Sequence, residues 1–255
     1  MISENTAQLQ YIYRLQQGKL VSISQLIENL GNIRRNLEVF STEQKTLADE
    51  LESCTNKSRV TIRRLGKKRN KEENEGSTGG DDDKSLSPAR KKSLIQTLQE
   101  IHDTSSSVAG KVYRLSSNHK YSAGLLDLSV IMVKHFLWRE RIYMAIILGS
   151  HDNEAIKQIN ARNCALGRWY DGRGKKAYSH LPVYRSLGEV HWRYHETINE
   201  LIDKGIVGMS PSELSAELVT VEMLSQKIVG FIGQIQHHVE LLQNLQTLSE
   251  EQKDS

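Results

Sequence analysis

Cysteine, proline and phenylalanine are all scarce in this chain, with two, three and three copies in 255 residues. Two cysteines, Cys54 and Cys164, cannot build a disulfide framework, so reduced thiols in a cytoplasmic protein are expected. So few prolines and phenylalanines argue against many short strands joined by tight turns, which need turn formers at each corner and bulky rings on pleated faces. Charge of one sign is also lacking. The 34 basic side chains nearly balance 31 acidic ones, for a net +3, and this excludes the basic footprint of a nucleic-acid binder. The sequence has no run of 18 apolar residues and no basic-then-apolar leader, so neither a membrane span nor a signal peptide is expected.

Leu, Ile, Gln, Glu, Lys and Ser dominate instead, a mixture that favours long helices and an all-α fold. After a polar stretch at 1–19, a heptad seam runs through Ile23, Leu26, Leu30, Ile33, Leu37, Phe40, Gln44, Leu47, Leu51 and Cys54. Its alternating steps of three and four predict one amphipathic helix over 20–65, within a first segment 1–65. Residues 66–92 carry basic, acidic and Gly-rich runs without an apolar face and predict a flexible linker. A second seam begins at Leu94 and passes through Leu98, Ile101, Val108, Val112, Leu115 and Leu126, giving a second coil over 93–127. The two coils either fold back as a hairpin or extend as a dimeric coil.

The remainder, 128–205 and 206–255, reads as a helix bundle followed by a C-terminal helix and tail. The second long helix is expected to end near Leu148-Gly149. A short helix capped by Asp152 or Asn153 is expected to carry Ala155, Ile156, Ile159 and, at its end, Cys164; residues 171–181 read as loop. Pro182 suits the first turn of the next helix, which runs to about Lys204-Gly205. Ser210-Pro211-Ser212-Glu213 joins a capping box to proline at the first helical position and opens the last helix, with Leu214, Leu218, Val221, Ser225, Ile228, Ile232, Ile235, Val239 and Leu242 on one face.

Chemistry concentrates in a window holding His135, Cys164, His191 and His195. Three imidazoles and one thiolate make a tetrahedral donor set for zinc. His191 and His195, four apart, share one face of a helix. Each residue also has a plainer reading: His135 as a satisfied core histidine, Cys164 as a small buried hydrophobe, the His pair as an ordinary helix face. No catalytic residues are expected. His-Glu-x-x-His is absent, and Gly172-Arg173-Gly174-Lys175-Lys176 lacks the full phosphate-loop spacing. Cys54 falls on a seam position and reads as packing.

The order His135, then Cys164-Ala165-Leu166-Gly167-Arg168-Trp169-Tyr170, then His191-x-x-x-His195 resembles the chemoreceptor zinc-binding domain over about residues 128–202. The Cys-x-Leu-Gly-x-Trp-Tyr box is the most distinctive part, and Trp138-Arg139 follow His135 at the offset of that family. Val190 departs from the pattern, since family members often carry proline there. The resemblance implies a small helix bundle with Zn2+ held by His135, Cys164, His191 and His195, a filled ligand shell with no open position, and therefore no enzyme. It implies a signalling role, through zinc availability or oxidation of the zinc-bound cysteine by oxidants such as hypochlorous acid. The attached coils resemble those of methyl-accepting chemotaxis receptors, although the Ala/Glu-rich hairpin tip that engages the kinase is missing. The implied partners are a second copy of the chain (a homodimer), and a chemotaxis receptor, a kinase/adaptor complex or a diguanylate cyclase, with no nucleic acid. The alternative is a structural coiled-coil adaptor in which zinc only stabilises the bundle.

Overall fold

The computed structural model describes residues 2–74, 88–148, 156–204 and 209–251, and among these there is no strand. The fold is all-α, as expected. Helix α1 spans Ile2–Asn74 and α2 spans Pro88–Leu148. Both invade the stretch expected to be a linker: 66–74 and 88–92 are helical, while 75–87 lie outside the described residues. Lys, Arg and Glu propagate a helix that is already nucleated, and an apolar face is not required for that.

The chain forms two compact units, Asn36–Lys120 and the combined segments Met1–Arg35 and Tyr121–Ser255. The first is an antiparallel pairing of α1 with α2. Its register is set by polar contacts: Ser116 donates to the Ser41 carbonyl at 2.7 Å, and His119 Nδ1 lies 2.9 Å from Gln44 Oε1. Arg59 Nε donates to His102 Nε2 at 3.4 Å. These fix the hairpin alternative for this unit.

The buried row of the pairing is not the large apolar seam. It is Ser41, Ala48 and Thr55 on α1 against His102, Ala109 and Ser116 on α2. Each row lies one position after the seam residues Phe40, Leu47, Ile101, Val108 and Leu115, which stay exposed, Leu47 at 54% and Ile101 at 56%. Small side chains let two helices approach closely, so the Ala/Ser rows face inward and the bulky rows turn out. Since the two helices run in opposite directions, the position before each buried row falls on the same side of the hairpin. The exposed rows therefore form one apolar stripe.

The second unit holds the main core. Leu128, Ile131 and Ile142 of α2 pack with two C-terminal helices, α5 (Pro182–Lys204) and α6 (Pro211–Glu251). Pro182 opens α5, and the predicted capping box opens α6: Glu213 N donates to Ser210 Oγ at 3.2 Å while Ser210 N donates to Glu213 Oε2 at 2.8 Å. Ile228, Ile232 and Ile235 are wholly buried, each contributing about 1.5–3 kcal/mol of burial. By length and composition α6 is also apolar enough to cross a membrane over Pro211–Gln246. Its apolar face, however, packs on α5 as the core of this unit.

Between α2 and α5 the chain departs from expectation twice. The helix expected to end in Cys164 stops at Lys157, followed by turns through Asn163; Asp152 and Asn153 lie outside the described residues. The expected loop at 171–181 is mostly helical: α3 (Ala165–Trp169) runs through a π-helical turn (Tyr170–Gly174) into α4 (Lys175–Tyr178). The wider π turn lets Tyr170 stack on Tyr184 with centroids 4.2 Å apart and planes 3° from parallel.

Candidate metal centre

Helix α5 buries Tyr184, Leu187, His191, Tyr194, His195, Ile198 and Leu201. Those intervals of three and four place His191 and His195 within the core-facing stripe, so both imidazoles are pulled out of water by the apolar residues around them. Their rings lie 4.9 Å apart and nearly perpendicular, at 81°.

Cys164 reaches them from a turn knitted by two asparagines. Asn160 Oδ1 accepts from the amides of Arg162 and Asn163 at 2.9 and 3.1 Å, and Asn163 Oδ1 accepts from the amide of Asn160 at 2.7 Å. The extended backbone of Cys164 makes it the N-cap of α3, with Sγ accepting from Gly167 N at 3.2 Å. The thiol thus starts a helix instead of ending one. Gly167 is required by close approach: a Cβ there would collide with the Ala161 carbonyl and meet Arg162 O at 2.8 Å.

The donor atoms of Cys164, His191 and His195 all lie within 4.8 Å of one another. Cys164 Sγ is 3.2 Å from His191 Nε2. Zinc bonded at about 2.0–2.3 Å to nitrogen and sulfur needs donors about 3.3–3.8 Å apart, so the cluster is near the required spacing. A second sign of fit is His195 Nδ1, which is buried without a hydrogen-bond partner. The backbone of Ile159 beside the same ring favours its protonated form, against the effect of burial. Trp138 covers it, with centroids 4.4 Å apart.

Burial sets the protonation states. It lowers His191 to about 3 and His195 to about 4, so both rings are neutral ligands near pH 7. Burial raises the Cys164 thiol, opposed by the amides of Gly167 and Leu166, which favour the thiolate. A bound cation would make that thiolate favourable.

His135 stands apart from the three. It is buried on α2 and lowered to about 4 by burial and then by the nearby Arg139 charge. Its Nε2 lies 3.0 Å from Ser225 Oγ of α6. It nevertheless lines the same open cavity of about 1060 Å³ as Cys164, His191 and His195, with Leu20, Val21 and Ser24 of α1 on the facing wall.

Asp127 of α2 was not singled out by sequence reasoning. Its carboxylate accepts from Trp169 Nε1 and from Arg173 NH2, both at 2.8 Å, and lies 3.5 Å from Arg34 Nε of α1. A lone aspartate on a helix carries no spacing signal. His237 and His238 of α6 are not part of the cluster; His237 Nδ1 lies 3.9 Å from Glu240 on the surface.

These features define an all-helical protein holding one thiol and two imidazoles ready for a borderline-soft cation. Residues 135–202 match the family model of the chemoreceptor zinc-binding domain, and this segment, a little over a quarter of the chain, is thereby assigned to a zinc-binding, chemoreceptor-related signalling type. No curated protein and no solved structure matches the chain.

Proposed function

We propose that the protein is a cytoplasmic, zinc-responsive signalling module in which His135, Cys164, His191 and His195 form the complete ligand set. The observation that carries this reading is the convergence of Cys164, His191 and His195 inside the segment of zinc-binding type. Bound zinc would hold the thiol as thiolate and cross-link α2, the Cys164 turn and α5. Four protein ligands leave no position for a substrate water, so the role is regulatory and not catalytic.

Cys164 is the residue through which an oxidant would act. It is partly exposed on a cavity open to solvent, and a metal-bound thiolate is the oxidisable form of cysteine. Oxidation to the sulfenic acid removes a negative ligand and weakens the site. Trp169, five residues on, carries that change to Asp127, and Asp127 to Arg34 of α1. The coil is the output, acting on a chemotaxis receptor, a kinase/adaptor complex or a diguanylate cyclase.

A second copy is the further partner. The stripe of Phe40, Leu47, Ile101, Val108 and Leu115 on one side of the hairpin is the surface that supports a homodimer.

Zinc content per chain, measured by elemental mass spectrometry on wild type and Cys164→Ala before and after hypochlorite, tests the reading. One zinc per chain, weakened in the variant and released by oxidant, is expected. Zinc-free protein that takes up none on titration would overturn it.

A further inference from the structure

The hydrogen bond between His135 and Ser225 joins a proposed ligand to a helix beyond the matched segment, which ends at residue 202. Ser225 is 0% exposed and sits in the row Val221, Ile228, Ile232 that fastens α6 to the core. It is not among the residues lining the cavity of the cluster. The Nε2 end of His135 therefore points out of the cavity toward α6. The other three donors already face one another without it.

A serine hydroxyl has one proton and two lone pairs. Arg139 NH1 lies 3.5 Å from Ser225 Oγ and 3.2 Å from Glu222 Oε1, and Tyr143 OH donates to Glu222 Oε2 at 2.8 Å. With a guanidinium 3.5 Å from its oxygen, Ser225 is left to give its proton to His135 Nε2 in the tautomer that carries hydrogen on Nδ1. A ring lone pair that accepts a hydrogen bond cannot bind a cation as well.

We propose that Ser225 is a resident competitor for His135: it parks the fourth ligand on α6 in the metal-free protein, and recruitment of His135 to the metal frees Ser225. This makes Ser225 a positioning residue and α6 the element that registers occupancy. The hydroxyl proton released by His135 must then find a new acceptor beside a side chain that is 0% exposed, which loosens the contact of α6 with α2 around Ser225. The proposal rests on the metal-centre reading above and adds a residue and a helix that the family match does not include.

The test is zinc affinity, by competition with a chromogenic chelator, for full-length wild type, Ser225→Ala and His135→Ala, with helicity checked by circular dichroism. Alanine suits a helix interior, so Ser225→Ala is expected to fold. Removing one competing hydrogen bond should tighten zinc binding by about 3- to 10-fold, whereas His135→Ala should weaken it. Amide hydrogen exchange supplies a readout independent of affinity. Zinc should raise exchange around residues 221–229 in wild type and leave Ser225→Ala unchanged. Weaker zinc binding by Ser225→Ala would make Ser225 an orienting partner of a bound His135, and unchanged binding would make it a bystander; either overturns the proposal while leaving the metal centre intact. Absence of zinc binding by wild type would remove both.

Discussion

Gly167 decides where Cys164 can be. The amide of this glycine caps the sulfur, and its missing side chain lets the turn 160–163 fold against α3. Gly167→Ala is expected to cost about 1–3 kcal/mol of stability, as overpacking does, and to weaken zinc binding because the thiol is displaced; thermal melting with and without zinc checks both. The three histidines predict a pH dependence. Burial depresses His135 and His195 to about 4 and His191 to about 3, from an ordinary 6.5. The unfolded chain takes up protons first, so the contribution of the neutral rings is complete above pH 6.5 and lost as pH falls toward 3–4. Urea midpoints of the zinc-free protein should therefore fall between pH 7.5 and pH 5; a flat profile would contradict the burial of these rings. The sequence made the cluster legible because ligand chemistry leaves a trace in residue type and order. Asn160, Asn163 and Ser225 left none: small polar residues are common in turns and helices, and only folding gives them partners.

At the scale of elements, Asp127 is the joint between helices. Its carboxylate faces two guanidiniums and the indole of the Cys box, and Arg34 is buried with it. Asp127→Asn keeps an acceptor for Trp169 but removes the charge. Breaking a buried ion pair costs on the order of 3 kcal/mol, and chemical denaturation should show a loss of that size, with near-wild-type zinc affinity. If the melting curve does not move, Asp127 is no joint. Helix existence and the starts of α5 and α6 were readable from proline and capping chemistry. Within α1 and α2 the seam is split: Leu37, Leu51, Leu98 and Val112 are half-buried, Phe40, Leu47, Ile101, Val108 and Leu115 are exposed, and closeness of approach selects Ser41, Ala48, Ala109 and Ser116 as the buried row. The helical turns at 171–178 were hidden by their glycines and charges, which read as loop until Trp169 and Tyr184 find the core.

For the whole molecule, the hairpin's stripe and the metal centre lie in separate units, and they should respond separately to mutation. The pair Leu47→Glu and Ile101→Glu should convert dimers to monomers in sedimentation experiments, since it sets like charges on the stripe, while zinc affinity stays within about twofold, because sites without shared partners are independent. Failure to dissociate would move the dimer contact elsewhere. The discontinuity of the second unit, 1–35 with 121–255, bears on how the protein is made. During synthesis the Asn36–Lys120 pairing has both of its arms once residue 120 has emerged, and can close while the ribosome is still at work. The proposed ligands are all translated by His195, yet the core beside them lacks Val221, Ile228 and Ile235 until α6 follows. On the metal-centre proposal, loading is expected to be late, coupled to the emergence of α6, and a nascent chain stalled after His195 would display its thiol and imidazoles without the core that packs beside them.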